Sequence, residues 1–292
     1  MRPTTVLREL LAKPEILTLP GTYDCIGARL IQSEGFPALY MTGAGTAAAR
    51  TGRPDVGLIT MTEMVDNARR MAGAVRIPLV VDADTGYGNV LNVVRTVEEF
   101  ERAGVAAIQL EDQVFPKRCG HYEGKQVVPA AEMVQKIKAA VDTRRDADLV
   151  IIARTDALAV NGFEDALERG HAYAEAGADV LFIEAPRNLQ QIEAVGKTFA
   201  KPLLFNMATS GKTPVLSAQQ MQDYGFKIAL YAGTPMYLYA RLMQQFLRGL
   251  SRGASLDAYK NELMPFAELW KILGSEEIAR LEATYGNAPP GA

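Results

Sequence analysis

The segment VDADTGYGN sets Asp82 and Asp84 two residues apart, and Glu111 ends the next apolar run. In an extended strand, side chains two apart share a face. Three carboxylates around one point repel unless a cation sits among them. An all-oxygen set with few protein ligands suits Mg2+, which keeps waters for a substrate to displace, and Mn2+ fits the same set. The competing reading is that these acids cap the helices that follow, since Asp is a common N-cap.

A second candidate lies in the stretch EDQVFPKRCGHYEGKQVVPA, long for a βα loop. Cys119 stands there between Arg118 and His121, where cationic neighbours favour the thiolate. A mobile lid of this kind would bring the thiol to substrate on closing. Cys25, on a helix-like stretch, reads as an inert small hydrophobe. Two histidines leave no room for a His-rich zinc site, and His171 reads as an ordinary helix residue. Arg154 follows an apolar run, where an unpaired charge is costly; it should hold a carboxylate, Glu184 or a substrate anion, and the two are not exclusive. Gly43, Ala44 and Gly45 leave backbone N–H groups open to an anionic oxygen.

These residues need elements to position them. Short apolar runs alternate with longer amphipathic stretches, and the spacing predicts strands at Leu17–Leu19, Ala38–Met41, Leu79–Val81, Ala107–Leu110, Leu149–Ala153, Val180–Ile183, Leu203–Phe205 and Ile228–Leu230. Helical patterns such as MTEMVDNARRMAGAV, LNVVRTVEEFERAG and FEDALERGHAYAEAG lie between them, several ending at Gly. This α/β alternation predicts a TIM-type (β/α)8 barrel, whose catalytic residues stand at the C-terminal ends of the strands. A doubly wound sheet is the alternative, but no G-x-G-x-x-G follows the first strand. The whole of 1–292 reads as a single barrel domain, with a helical extension over about 234–292 whose surplus helices pack on a neighbouring subunit.

Composition narrows the class of function. The chain of 292 residues is 48% apolar and 22% charged, which excludes a disordered or fibrous chain. A net charge of −3 argues against a nucleic-acid or anionic-membrane surface and favours a small-molecule partner. With two cysteines and no apolar leader or membrane span, the expected location is the cytoplasm.

Together these residues resemble the isocitrate lyase and phosphoenolpyruvate mutase superfamily over most of residues 10 to 235, within it the 2-methylisocitrate lyase and 2,3-dimethylmalate lyase branch. The most specific match is Lys117-Arg118-Cys119-Gly120-His121, supported by VDADTGYGN, QLEDQ and IIARTDALAV. The resemblance implies a barrel whose final helix swaps between subunits of a homotetramer. It also implies Mg2+ held directly by Asp82, with Asp84 and Glu111 acting largely through water. Thr42, Gly43 and Ala44 match the segment holding the α-oxyacid end of the substrate, and Arg154 the arginine on its carboxylate. Tyr40 and Asp55 match further active-site positions. Gly120, His121, Glu184 and Asn206 match the remainder of the substrate pocket.

The reaction so implied is cleavage of the C2–C3 bond of a 2-hydroxy acid. A base, Tyr40 or a metal-linked group, takes the hydroxyl proton; an α-keto acid such as pyruvate departs; Cys119 protonates the remaining carbanion. Two departures from the branch, Tyr237 in place of an arginine and Thr42-Gly-Ala44 in place of Ser-Gly-Gly, point to a substrate less charged than 2-methylisocitrate, such as 2,3-dimethylmalate, another 2-alkylmalate or oxaloacetate. The alternatives are an oxaloacetate hydrolase or decarboxylase, a phosphonomutase, which KRCGH opposes, and a non-catalytic barrel, which would lack Asp82, Arg154 or Cys119.

Overall fold

The computed structural model describes residues 1–120, 122–208 and 213–286. Its strands are β1 (Leu17–Thr22), β2 (Leu39–Met41), β3 (Leu79–Asp82), β4 (Ala107–Glu111), β5 (Val150–Thr155), β6 (Val180–Ile183), β7 (Leu204–Asn206) and β8 (Ile228–Tyr231). All pair in parallel, in the order β6-β5-β4-β3-β2-β1-β8-β7. A parallel bridge between Leu181 and Leu203 brings the outer strands together, so the sheet is a nearly closed (β/α)8 barrel, as the alternation predicts.

Several strands run further than their apolar stretches. Asp82 pairs with Gln109, Glu111 with Arg154 and Asn206 with Leu230, so polar residues expected just past the strands are their last members. At the other end, Ala38, Leu149 and Leu203 precede the strands they were expected to open.

Strand alternation then sorts the side chains. Leu19, Tyr40, Val80, Ala107, Val150, Ile152, Val180, Phe182, Leu204 and Leu230 form the barrel interior. Their neighbours Met41, Val81, Ile108, Leu110, Ile151, Ala153, Leu181 and Phe205 face the helical layer. By the same period of two, Asp82, Gln109, Glu111, Arg154, Glu184 and Asn206 continue the interior column of each strand to its C-terminal end. The other end is plugged by the helix Pro3–Ala12, whose Leu7 joins the interior and whose Arg8 bonds Asp179 at 2.9 Å.

The outer helices start and stop on local signals. Thr60 with Glu63 and Asn89 with Asn92 form capping boxes for Met61–Ala74 and Val90–Arg102. Just beyond the helices Val90–Arg102, Phe163–Glu175 and Ala218–Asp223, the chain turns at Gly104, Gly177 and Gly225, each at a φ that side-chain-bearing residues resist.

The chain divides into two units, Met1–Met236 and Tyr237 onward. In the second, the helices Phe266–Ile272 and Ser275–Tyr285 follow the long helix Thr234–Ser251, and none of the three holds a buried residue. Phe246 meets Tyr259 edge-on at 5.0 Å, and Phe266 stacks on Trp270 at 4.4 Å. Among the described residues, no helix is long and apolar enough to cross a membrane.

Ile152 fills the interior layer directly beneath Arg154. Truncation there leaves a cavity that a closed barrel cannot collapse, so Ile152→Ala is expected to cost about 2–5 kcal/mol in chemical denaturation. A loss below about 1 kcal/mol would show that the interior repacks freely.

Candidate active site

The acidic group forms where β3 and β4 end. Asp82 closes β3; Asp84 sits in the turn beyond it at φ +48 and donates its N–H to Asp82 Oδ1 at 3.0 Å. The two carboxylates converge on Gly43, where an added Cβ would lie 2.7 Å from Asp82 Oδ2 and 3.3 Å from Asp84 Oδ1. Glu111 closes the neighbouring strand, fully buried. None of the three caps a helix: Asn89 and Pro129 occupy the N-caps of the helices that follow. Gln109, which its apolar surroundings concealed in the sequence, shares the interior face. It donates to Asp82 at 3.4 Å and accepts from the Tyr40 hydroxyl at 3.0 Å. Burial, with Asp82 adding to it, pushes the Tyr40 phenol well above its ordinary range.

Thr42 is the N-cap of the helix Gly43–Thr51, accepting from the Gly45 N–H. The N–H groups of Gly43 and Ala44, in the first turn, have no carbonyl to reach within the helix. Beside the acidic group, they form a donor surface for an anionic oxygen.

The cysteine loop is seated as a strap. Its arms come together where Gln113 and Val127 bridge antiparallel, and the Gln113 amide grips the Arg118 backbone at both N–H and carbonyl. Lys117 turns inward, 2% exposed, and places its ammonium 2.7 Å from both Asp55 and Asp84. Cys119 N–H donates to the Asp55 carbonyl at 3.2 Å, and Tyr122 N–H to the Cys119 carbonyl at 2.8 Å. Gly120 packs so closely that a Cβ would meet Arg154 at 2.4 Å and Glu184 at 2.6 Å. A cavity of about 340 Å³ lies beside the strap, between Val56, Lys117, Arg118 and Tyr122. His121 lies outside the described residues. Cys25 opens the helix Cys25–Ser33 and packs, half-buried, on the core. His171 packs its ring on Phe199 at 4.8 Å.

The carboxylate that bonds Arg154 directly is Asp156, which the sequence reading does not name as its partner. Asp156 grips it through two bonds of 2.9 and 3.1 Å, and Glu111 lies 3.4 Å away. Glu184, buried beyond the end of β6, adds its charge to those that hold Arg154 protonated. Asp156 is itself anchored, its N–H bonding Asp112, which also accepts from Thr155, Tyr173 and Arg169. Lys125 completes the group, 2.6 Å from Asp156. Asp112, Lys117 and Asp156 stand within the motifs, but nothing in their spacing indicates that Lys117 would meet Asp55 and Asp84 or that Lys125 would meet Asp156; those two pairings arise only where the strap meets the barrel. Asn206, half-buried, ends β7 on the interior face.

Buried acids outnumber buried cations here: Asp55, Asp82, Asp84, Glu111, Asp156 and Glu184 face Lys117, Lys125 and Arg154 among the described residues. The imbalance shows in their titration. Burial raises Asp84, Lys117 pulls it back in part, and Asp82 and Asp55 push it up again, to about 6. Burial also lifts Glu111 well above the carboxylate range, against Arg154 and Lys117. Burial works the same way on Asp156, but Arg154 and Lys125 outweigh it and hold that carboxyl at about 2. Glu111 Oε1 is buried with no hydrogen-bond partner among the described residues. Also among them, no three His, Cys, Asp or Glu side chains converge closely enough to ligate one metal ion together. Surplus negative charge with unused carboxylate oxygens fits a hard divalent cation held by few direct ligands and completed by water.

Residues 7–251 match the family described as phosphoenolpyruvate phosphomutase. Across 98% of its length the chain is 43% identical to the 2,3-dimethylmalate lyase of Eubacterium barkeri, covering 99% of that protein. Among solved structures, a 2,3-dimethylmalate lyase, itself a PEP mutase/isocitrate lyase superfamily member, superposes with TM-score 0.92 at 38% identity, over all of this chain and 98% of that one. An oxaloacetate acetylhydrolase bound to 3,3-difluorooxalacetate superposes with TM-score 0.91 at 37% identity, over 98% of both chains. The chain therefore belongs to the PEP mutase/isocitrate lyase superfamily.

The raised Asp84 gives a signed pH dependence. Its folded form binds a proton more tightly than the unfolded chain, so the stability linked to it is present below the ordinary value of 3.8 and is lost as pH rises towards about 6. Metal-free protein should therefore lose part of its stability across that window, Asp84→Asn should flatten the loss, and added Mg2+ should oppose it. Thermal melts from acid to neutral pH measure this; identical pH slopes in the wild type and Asp84→Asn would refute it.

Proposed function

We propose that this chain is a carbon–carbon lyase that cleaves a 2-hydroxy dicarboxylate of the 2,3-dimethylmalate or 2-alkylmalate type into pyruvate, or another α-keto acid, and a carboxylic acid. The observation that carries the reading is the seating of the Cys119 strap against Arg154 and the acidic group. A thiol is thereby held at the same barrel mouth as a paired arginine, free helix N–H groups and a surplus of carboxylates. The similarity to 2,3-dimethylmalate lyases supports it.

Arg154, oriented by Asp156, holds the substrate's C1 carboxylate, and the first turn at Thr42, Gly43 and Ala44 receives its oxygens. Asp82 would bind Mg2+ or Mn2+ directly and Asp84 and Glu111 through water; the ion supplies polarisation of the substrate's carboxylate and hydroxyl oxygens. The C2 hydroxyl proton passes to a base, Tyr40 or a metal-linked group. As C2=O forms, the C2–C3 bond breaks and its electron pair stays on C3, delocalised into the adjacent carboxylate. Cys119 Sγ delivers a proton to C3 and is left as thiolate, to be reprotonated from solvent. Asp55 keeps Lys117, and with it the strap, at the mouth. Gly120, Glu184 and Asn206 line the side where the second product forms.

We further propose that the apolar residues exposed on the helical segment, Leu238, Leu242, Leu247 and Trp270 among them, are covered by other copies in a homotetramer. Both cysteines are free thiols, which suits a reducing cytoplasm.

Pyruvate release from 2,3-dimethylmalate, 2-alkylmalates, 2-methylisocitrate, oxaloacetate and phosphonopyruvate, with and without EDTA, tests the activity. Pyruvate from a malate-type acid, abolished by EDTA, is the expected result. Oxalate from oxaloacetate would make the chain a hydrolase, and turnover of phosphonopyruvate alone would overturn the lyase reading. Cys119→Ser is expected to lower turnover at least about 100-fold while keeping the Mg2+-induced rise in melting temperature. Full turnover by that variant would remove Cys119 from the chemistry. Light scattering should give the mass of four chains; a monomer would refute the tetramer.

A further inference from the structure

Two buried lysines anchor the strap to the barrel. One is Lys117 among the acids; the other is Lys125, on the returning arm. The Lys125 side chain is 2% exposed, and its ammonium donates to the Gly120 carbonyl and to Asp156 Oδ1 at 2.6 Å. Gly120 directly follows Cys119, so this bond acts on the residue next to the thiol. Asp156 in turn grips Arg154 and is fixed through its own N–H by Asp112. A continuous run of polar contacts thus reaches from Arg169 and Tyr173 in the helical layer, through Asp112, Asp156 and Lys125, to the strap.

We propose that Lys125 is a positioning residue that couples the seating of the Cys119 strap to the Asp156–Arg154 pair. An ammonium has donors and no acceptor, so it can satisfy a carbonyl and a carboxylate at once. Buried here, it is stable only while both are in place, since stripping either partner leaves charge uncompensated in a dry site. The strap therefore docks on a barrel whose arginine is already oriented, and undocking exposes both Lys125 and Asp156. Lys117 does not duplicate this contact, because Asp55 and Asp84 hold it elsewhere on the rim. The coupling explains how a thiol on a loop and an arginine on a strand keep a fixed relation, which proton delivery to a carbon beside the bound carboxylate requires. The catalytic consequence rests on the lyase reading; the seating itself does not.

Hydrogen exchange read by mass spectrometry on the whole chain tests it without substrate. Wild type, Lys125→Met and Lys125→Arg are compared at the amides of Cys119 and Tyr122, which bond within the seated strap, and at β1 and β8 across the barrel. In Lys125→Met the strap amides should exchange about tenfold faster or more, the loss of one charge-assisted bond. β1 and β8 should stay unchanged, and Lys125→Arg, which keeps a cation, should recover part of the protection. Strap exchange within about twofold of wild type in Lys125→Met would overturn the proposal. So would acceleration spread equally over β1 and β8, which would make Lys125 a general stability residue. Because no turnover is measured, the proposal can fail while the lyase reading stands, and the lyase reading can fail while strap exchange still depends on Lys125.

Discussion

Buried charge has to be compensated, and most of what is particular to this barrel follows from that one requirement. Among the described residues, the C-terminal ends of the strands bring more buried carboxyl groups together than buried cations. Water cannot screen them there, so each acid takes a cation, a hydrogen bond or a proton. Asp156 takes Arg154 and Lys125, which hold its carboxyl low; Asp84 shares Lys117 with Asp55 and is raised to about 6; burial lifts Glu111 well above the ordinary carboxylate range. The gradient across a few ångströms separates a neutralised side, suited to orienting an anion, from a side with negative charge to spare, suited to a divalent cation.

The strap belongs to this balance. It carries two of the cations that the barrel mouth lacks, Lys117 and Lys125, on either side of Cys119, and delivers each to a different acid. Seating the strap is thus an electrostatic event as well as a steric one, and Gly120 is what lets the backbone between the lysines come into contact with Arg154 and Glu184. A side chain at that position would push the strap off the site.

The family to which the chain belongs includes lyases and hydrolases of closely similar fold, so the barrel alone does not select the reaction. Selection lies in what meets the substrate's far end, and a methyl group in such a pocket is worth only about 1–3 kcal/mol. That is why assay against a panel of acids, rather than comparison of folds, distinguishes a 2,3-dimethylmalate-type substrate from oxaloacetate.

Much of this architecture is legible without coordinates. The βα alternation gives the barrel, and VDADTGYGN, Glu111, Arg154 and KRCGH mark its chemical end, because local periodicity and residue type are properties of short segments. Strand ends are less visible: Asp82, Glu111 and Asn206 fall just past the apolar runs that predict the strands, since apolarity fades before backbone pairing does. What the sequence could not show was pairing at long range. That Arg154 would choose Asp156, that Gln109 would join Tyr40 to Asp82, and that Lys117 and Lys125 would enter the site from a loop all depend on which groups share a buried volume. Local sequence determines which way a side chain points along its own strand or helix; only the closed barrel decides which charges are left facing one another without water between them.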